Sequence, residues 1–366
     1  MKFIFTVQGE GRGHLTQALS MAKLLRAAGH EVPLVLVGAS KSRKLPEFFR
    51  SGIGARIIQY DSMNFLPSSS NRKPNMVRTV LYNGAVLFKY FKSIRKVARI
   101  IKNSGADAVI NFYEMITGMA YLIHRPKVPV ICIGHQYLFS HKDFGLPHIK
   151  YPEYPGLALF TDVTKHGASL LLALSFRPME DDPKHKIKVV PPLLRQAVLQ
   201  MRDDGTPIVD GDYILGYMLN AGFAQDVLDW HKEHPEVPLR FFWDKWDEDP
   251  VKKIDDTLFF HIIDDREFLR QMAGCKAYAS TAGFESVCEA MYLGKPILMV
   301  PSHIEQEINA FDASRSGAGV RADSFDLSKL LEFAENYTPV EGFIDWVRSA
   351  DKVILKAIED VCKKKK

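Results

Sequence analysis

One local grammar, used twice, constrains this chain more than any other feature: a short apolar strand, a turn of small residues, a helix, then another apolar strand. Phe3-Ile4-Phe5-Thr6-Val7 has strand character and opens directly into Gly9-Glu10-Gly11-Arg12-Gly13-His14. Over Leu15 to Ala28 the apolar residues Leu15, Ala18, Leu19, Ala22 and Leu25 recur at helical spacing, and Gly29 closes the segment as a C-cap. Val32 to Val37, Ala108 to Asn111 and Val128 to Ile133 read as further strands, and Lys188 to Pro192 as the last of this half. A polar segment over Leu193 to Gly211, punctuated by Asp203-Asp204-Gly205-Thr206-Pro207, reads as a linker. The alternation then restarts, with strands at Tyr213 to Met218, Leu239 to Trp243, Leu258 to Ile262, Ala277 to Ser280 and Pro296 to Val300. Helices are expected over Phe223 to His231 and Phe284 to Leu293.

Short buried strands separated by helices predict parallel, doubly wound sheets. The restart predicts an α/β chain of two Rossmann-like domains facing each other across a cleft. Expected boundaries are 1–194 and 195–345, with a helix over 346–366 that carries a basic tail and packs back on the first domain.

The net charge of +5 is too small to imply nucleic acid as a partner. Basic residues are nevertheless concentrated at Arg72, Lys73, Arg78, Lys89, Lys92, Arg95, Lys96, Arg99 and Lys102, in a stretch without carboxylates, and again at Lys363 to Lys366. The first cluster accompanies Tyr82, Phe88, Tyr90 and Phe91. It reads either as a core-facing helix with a solvated face or as an acceptor-binding or membrane-touching surface. The cysteines at 132, 275, 288 and 362 show no metal-ligand or paired spacing, and read as small buried hydrophobes in a reduced compartment. No signal-like or membrane-spanning run occurs, so a cytoplasmic protein is expected, at most peripheral on a membrane.

Glycines in Gly9 to Gly13 allow a tight turn and the approach of a ligand to amides at a helix N-terminus. A dinucleotide fingerprint would place glycine where His14 stands and an acidic residue at the end of the second strand, which runs instead into Gly38-Ala39-Ser40. A nicotinamide oxidoreductase is therefore a distant reading. His14 is a candidate general base or a structural, capping histidine.

The strongest signal is Ser280-Thr281-Ala282-Gly283-Phe284-Glu285-Ser286-Val287-Cys288-Glu289, closed by Gly294-Lys295-Pro296. Amides at Ala282, Gly283 and Phe284 suit a phosphate. Glu285 and Glu289 lie one helical turn apart, and a carboxylate there suits both hydroxyls of a ribose; the alternative is a solvated helix face. In Pro301-Ser302-His303-Ile304-Glu305-Gln306-Glu307-Ile308-Asn309-Ala310, again at a strand's C-terminal edge, Glu305 and Gln306 suit sugar hydroxyls.

Together these segments resemble the GT-B glycosyltransferases, especially the branch with the lipid-linked N-acetylglucosaminyltransferase of peptidoglycan synthesis and the UDP-glycosyltransferases. The resemblance rests on Gly13-His14 before an Ala/Leu-rich helix, and on the small-residue turn followed by Glu289 and Gly294-x-Pro296. It rests also on Glu305-Gln306-x-x-Asn309-Ala310 and on Ile262-Ile263-Asp264-Asp265. It implies a hexosyl- or N-acetylhexosaminyl-transferase with inverting chemistry, needing no metal or other cofactor, and a nucleoside-diphosphate sugar donor, with uridine favoured. By the same resemblance His14 is the catalytic base and backbone groups at Ile263 hold the nucleobase. Glu289 holds the ribose, Thr281, Ala282, Gly283 and Phe284 the diphosphate, and Glu305 with Gln306 the donor sugar. Asn220, in Asn220-Ala221-Gly222-Phe223, assists the phosphate. The acceptor, of lipid or cell-envelope kind, is expected beside Gly11, Arg12 and Gly13.

Glu114 is a second candidate base or an orienter of His14, and His135 lines the acceptor site or caps a helix. Asp210-Gly211-Asp212 and Asp247-Glu248-Asp249 read as solvated loops rather than magnesium sites, and Trp243 and Trp246 as core and rim. Two rivals remain: a non-hydrolysing sugar-nucleotide epimerase of the same fold, and a catalytically silent sugar-nucleotide-binding protein.

Overall fold

The computed structural model describes residues 1–40, 44–63, 87–147, 153–203, 211–218, 221–245 and 249–363. The described residues form two compact units, one from those up to 195 together with those from 345, the other from 196–344.

In the first unit β1 (Lys2–Gln8) leads into α1 (Arg12–Ala27), β2 (Glu31–Ala39), α2 (Glu47–Gly52) and β3 (Arg56–Asp61). Then come α3 (Leu87–Asn103), β4 (Ala108–Phe112), α4 (Met115–His124), β5 (Val130–Gly134), α5 (Tyr154–Thr164), β6 (Ala168–Leu174) and β7 (Ile187–Val190). The seven strands form one parallel sheet in the order β3-β2-β1-β4-β5-β6-β7. Every residue of β4 and β5 is buried, as expected of strands covered on both faces. Helices α3, α4 and α5 pack side by side. A Cβ on Gly118 would collide with the Val163 carbonyl, so glycine there sets the close approach of α4 to α5.

The second unit begins with α6 (Gln196–Asp203), which occupies part of the segment expected as a linker. Its Arg202 donates to the Tyr292 carbonyl, a tertiary bond that polar composition could not reveal. The unit continues with β8 (Ile214–Met218), α7 (Ala224–Glu233), β9 (Leu239–Trp243), β10 (Val251–Lys253), β11 (Leu258–Ile262) and α8 (Asp265–Gly274). It closes with β12 (Ala277–Ser280), α9 (Phe284–Tyr292), β13 (Ile297–Met299), α10 (Ile304–Arg315), β14 (Gly319–Arg321) and α11 (Leu327–Glu335). The strand order is β10-β11-β9-β8-β12-β13-β14, parallel except at β10. Trp243 is a core residue, its ring stacked 4.5 Å from that of Phe260.

Helix α12 (Phe343–Arg348) spans the boundary, and α13 (Ala350–Lys363) packs on β6, β7 and α1 of the first unit. Trp346 Nε1 donates to the Ser175 carbonyl over 3.0 Å. None of the four cysteines forms a disulfide, and all are buried. No helix among the described residues is long and apolar enough to cross a membrane.

Candidate active site

In each sheet the strand order reverses at the centre, between β1 and β4 and between β8 and β12. Open α/β sheets bind ligands outside the carboxyl ends of such strand pairs. His14 and Glu114 follow β1 and β4, and Thr281 to Gly283 follow β12. Asn220, after β8, lies outside the described residues, as do Arg72, Lys73, Arg78, Tyr82, Trp246, Asp210 and Asp247-Glu248.

The glycine loop after β1 is more committed than its sequence suggests. Gln8 Oε1 accepts from the Glu10 and Gly11 amides at 2.9 and 3.2 Å, and the Gly9 amide donates to the Gly38 carbonyl at 2.7 Å. Glu10 in turn accepts from the Ser40 amide. The amides of residues 9 to 11 thus hold the loop together. A Cβ on Gly9 would sit 2.7 Å from Val37 Cγ1, so the glycine is needed for close approach to β2. Helix α1 starts at Gly11 with no side-chain cap, and Arg12 lies over the Phe48 ring.

His14, in the first turn of α1, is partly buried, and its Nδ1 is buried without a hydrogen-bond partner. It is therefore not a capping residue. Desolvation lowers its pKa to about 4, opposed in part by Gln17, so the imidazole is neutral near pH 7. Its ring stacks on that of Tyr113 at 5.4 Å. Tyr113 has φ 56°, its hydroxyl shares a 2.6 Å hydrogen bond with Thr161, and its ring meets that of Phe160 at 5.3 Å. No sequence signal singled out Tyr113.

Glu114 is fully buried and caps α4, accepting from the Ile116 amide at 3.3 Å and from Ser62 Oγ at 2.6 Å. Asn111 fixes its backbone, accepting from the Glu114 amide at 2.9 Å and donating to its carbonyl at 3.1 Å. Burial lifts the Glu114 pKa to about 7, against the lowering effect of Ser62 and nearby amides. The carboxylate is thus turned toward Ser62, and the ring stacked on His14 is that of Tyr113.

His135 directly follows β5. It is buried among Phe139, Phe144 and Phe176, with Nδ1 bonded to the Leu174 carbonyl at 2.8 Å. A carbonyl only accepts, so Nδ1 carries the proton and the ring serves core packing.

In the second unit Ala282 has φ 59°, its amide donates to Ser280 Oγ at 3.2 Å, and its carbonyl accepts from Asn309 Nδ2 at 3.1 Å. The Ala282 amide is thereby used internally, a correction to its expected phosphate role. Helix α9 begins at Gly283, with no side-chain cap, followed by buried Phe284. Thr281 and Glu289 are buried, so Glu289 is no solvated-face residue, whereas Glu285 is partly exposed. Glu305 is partly exposed in the first turn of α10. Gln306 Oε1 accepts from both the amide and hydroxyl of Ser302 at 2.8 Å, which leaves its NH2 for donation. His303, unassigned by the sequence, precedes them, and burial lowers its pKa to about 4. Ile263 follows β11 with its side chain buried, and Asp264 caps α8 by accepting from the Glu267 amide at 2.8 Å. Asp212 is exposed and paired with Lys276 at 2.7 Å.

Two Rossmann-like units, each with a helix-forming loop at its strand-order reversal, have the GT-B fold. The chain belongs to glycosyl transferase family 1, which matches residues 1–337. It is an enzyme of glycosyl transfer.

Solved structures similar in fold include the glycotransferase of kitacinnamycin, at 15% identity and TM-score 0.64, covering 98% of each chain. Arabidopsis thaliana UGT89C1 complexed with UDP matches at 15% identity and TM-score 0.63, with 99% of each chain covered. The spinosyn rhamnosyltransferase SpnG complexed with thymidine diphosphate matches at 13% identity and TM-score 0.60, over 98% of this chain and 100% of that one. No curated protein sequence matches significantly.

Proposed function

We propose that the enzyme moves a sugar from a nucleoside-diphosphate sugar, a UDP-sugar first among candidates, to a hydroxyl of a lipid or cell-envelope acceptor, with inversion at the anomeric carbon. The observation that carries this reading is His14: a neutral imidazole with an unsatisfied buried nitrogen, at the carboxyl edge of the sheet where its strand order reverses. His14 takes the acceptor proton as the acceptor oxygen bonds to the anomeric carbon. The bond from that carbon to the diphosphate breaks, and the electron pair leaves with the phosphate. The uncapped N-terminus of α9 stabilises the departing charge. Glu289 receives the ribose hydroxyls, backbone groups at Ile263 the base, and Glu305 with Gln306 the sugar, while Asn220 assists the phosphate. Arg12 and Gly13 border the acceptor. No step is routed through a metal or other cofactor.

The UDP and thymidine diphosphate complexes of proteins with this fold support a nucleotide donor. The enzyme works in the cytoplasm, reaching its acceptor at the membrane's inner face.

A thermal-shift series with UDP, GDP and dTDP tests the donor assignment. Stabilisation by one diphosphate, reduced in Glu289→Ala, is expected. Transfer to an added acceptor, lost in His14→Ala with diphosphate binding kept, separates this reading from an epimerase or a silent binding protein.

A further inference from the structure

Among the described residues, every large apolar side chain left exposed in the first unit lies on three neighbouring helices. These are Phe88 and Phe91 on α3, Leu122 and Ile123 on α4, and Leu159 on α5. Phe88 is 71% exposed and Leu159 66%, far beyond partial burial at a helix edge. Scattered surface leucines need no explanation, but their confinement to one packed layer does.

Charge on the same layer is one-sided. The outer face of α3 exposes Lys89, Lys92, Arg95, Lys96, Arg99 and Lys102, while Tyr90, Ile94, Val97, Ala98 and Ile101 face the core. Helices α3 and α4 contain no carboxylate, and the one on α5, Asp162, is paired with Lys165 at 2.7 Å. Lys92 lies over the Phe88 ring, so cations and apolar groups are interleaved. Aromatic side chains among lysines and arginines, without acids, are what a helix lying in an anionic interface requires.

We propose that the α3–α4–α5 face docks on an anionic lipid bilayer. The charge selects this occupant, since an acidic headgroup layer meets six exposed cations with no carboxylate on α3 to repel it. The face is also connected to the reaction centre. Helix α3 ends where β4 begins, so its first turn, with Phe88 and Phe91, lies toward the strand edge that carries His14 and Glu114. Beside exposed Leu159, Phe160 packs on Tyr113, which stacks on His14. Only the delivery of an acceptor by the bilayer rests on the transferase reading; the docking itself does not.

Sedimentation of the full chain with vesicles of pure phosphatidylcholine and of phosphatidylcholine with 30% phosphatidylglycerol, a composition chosen to give about −30 to −50 mV of surface potential, tests this. The protein is expected to pellet with the anionic vesicles at low salt and to be released as salt rises. Each basic residue near such a surface contributes about fivefold, so Lys92→Glu/Arg95→Glu/Lys96→Glu is expected to weaken binding at least about a hundredfold. Phe88→Ser/Phe91→Ser and Leu159→Ser are expected to weaken it with the salt dependence kept, and Val251→Ser/Ile254→Ser, on the other unit, to change nothing.

Failure to pellet, equal pelleting with phosphatidylcholine alone, or undiminished binding by the charge variant overturns the proposal. So does a concentration-dependent dimer that Leu159→Ser dissolves, since a second copy would then cover the face. The diphosphate-induced thermal shift, measured on the same variants, is expected unchanged and reports separately on the transferase reading.

Discussion

Tyr113 holds its ring over the imidazole of His14, with 5.4 Å between centroids, from a left-handed backbone at φ 56°. That conformation costs a side-chain-bearing residue about 1–2 kcal/mol. The Thr161 hydrogen bond and the Phe160 and Tyr137 rings hold it there. Tyr113→Ala loses the ring packing and keeps the strain, whereas Tyr113→Gly loses the packing and the strain together. Both are expected to be less stable than the native chain, with the glycine variant about 1 kcal/mol more stable than the alanine one. Equal denaturant midpoints for the two would show that no strain is held at this position.

His14 is neutral near pH 7 because burial lowers its pKa to about 4. The kcat/KM profile is therefore expected to be flat through neutrality and to fall only as pH approaches about 4. His14→Gln is expected to lose about 10²–10⁴ in rate and, with it, that acid limb. The folded pKa lies below the unfolded value of 6.5, so the unfolded chain binds the extra proton and stability declines as pH drops from about 6.5 toward 4. A limb that persists in the variant would assign it to another group.

Glu114 has the opposite sign. Its folded pKa of about 7 exceeds the ordinary 4.5, so the folded state retains a proton that the unfolded chain releases. Its contribution is full at low pH and is lost as pH rises from about 4.5 through 7. Glu114→Gln keeps an acceptor for Ser62 and Ile116 without the buried charge. It is expected to gain stability over the native chain on the order of 1–3 kcal/mol at pH 8, and little at pH 5. Urea unfolding at the two pH values measures the difference.

Asn309 joins α10 to the turn after β12 through the Ala282 carbonyl. Asn309→Ala leaves that buried carbonyl without this donor and loosens a turn held at φ 59°. Removing such a buried bond is worth about 1–3 kcal/mol. Nucleoside-diphosphate affinity is expected to fall about tenfold, with His14-dependent proton chemistry unaltered. Calorimetric titration of the diphosphate reads the change, and unchanged affinity would remove the turn from the donor site.

The central strands were legible because burial on both faces writes itself as continuous apolar runs, as in Phe3 to Val7 and Ala277 to Ser280. The starts of the helices that carry His14 and Glu289 were legible for a related reason: small residues between a strand and a helix leave few other backbone solutions. Edge elements were not. Strand β14 has three residues, too few for any period, and α6 hid in a polar segment because its anchor, Arg202, bonds a residue 90 positions away. The cationic run over 89–102 was visible in the chain, but not the apolar partners that α4 and α5 bring beside it.

What the sequence by itself determined was the periodicity of strands and helices, and the placing of glycine, histidine and glutamate at strand ends, because these follow from local backbone geometry. Tertiary structure alone decided which groups had already been used. Gln8 took the glycine-loop amides, Ser280 the Ala282 amide and the Leu174 carbonyl His135, while His14 Nδ1 remained without a partner. Hydrogen bonding saturates: each amide or ring nitrogen serves one main partner, and for groups such as His135 and Leu174 that partner comes from a distant part of the chain.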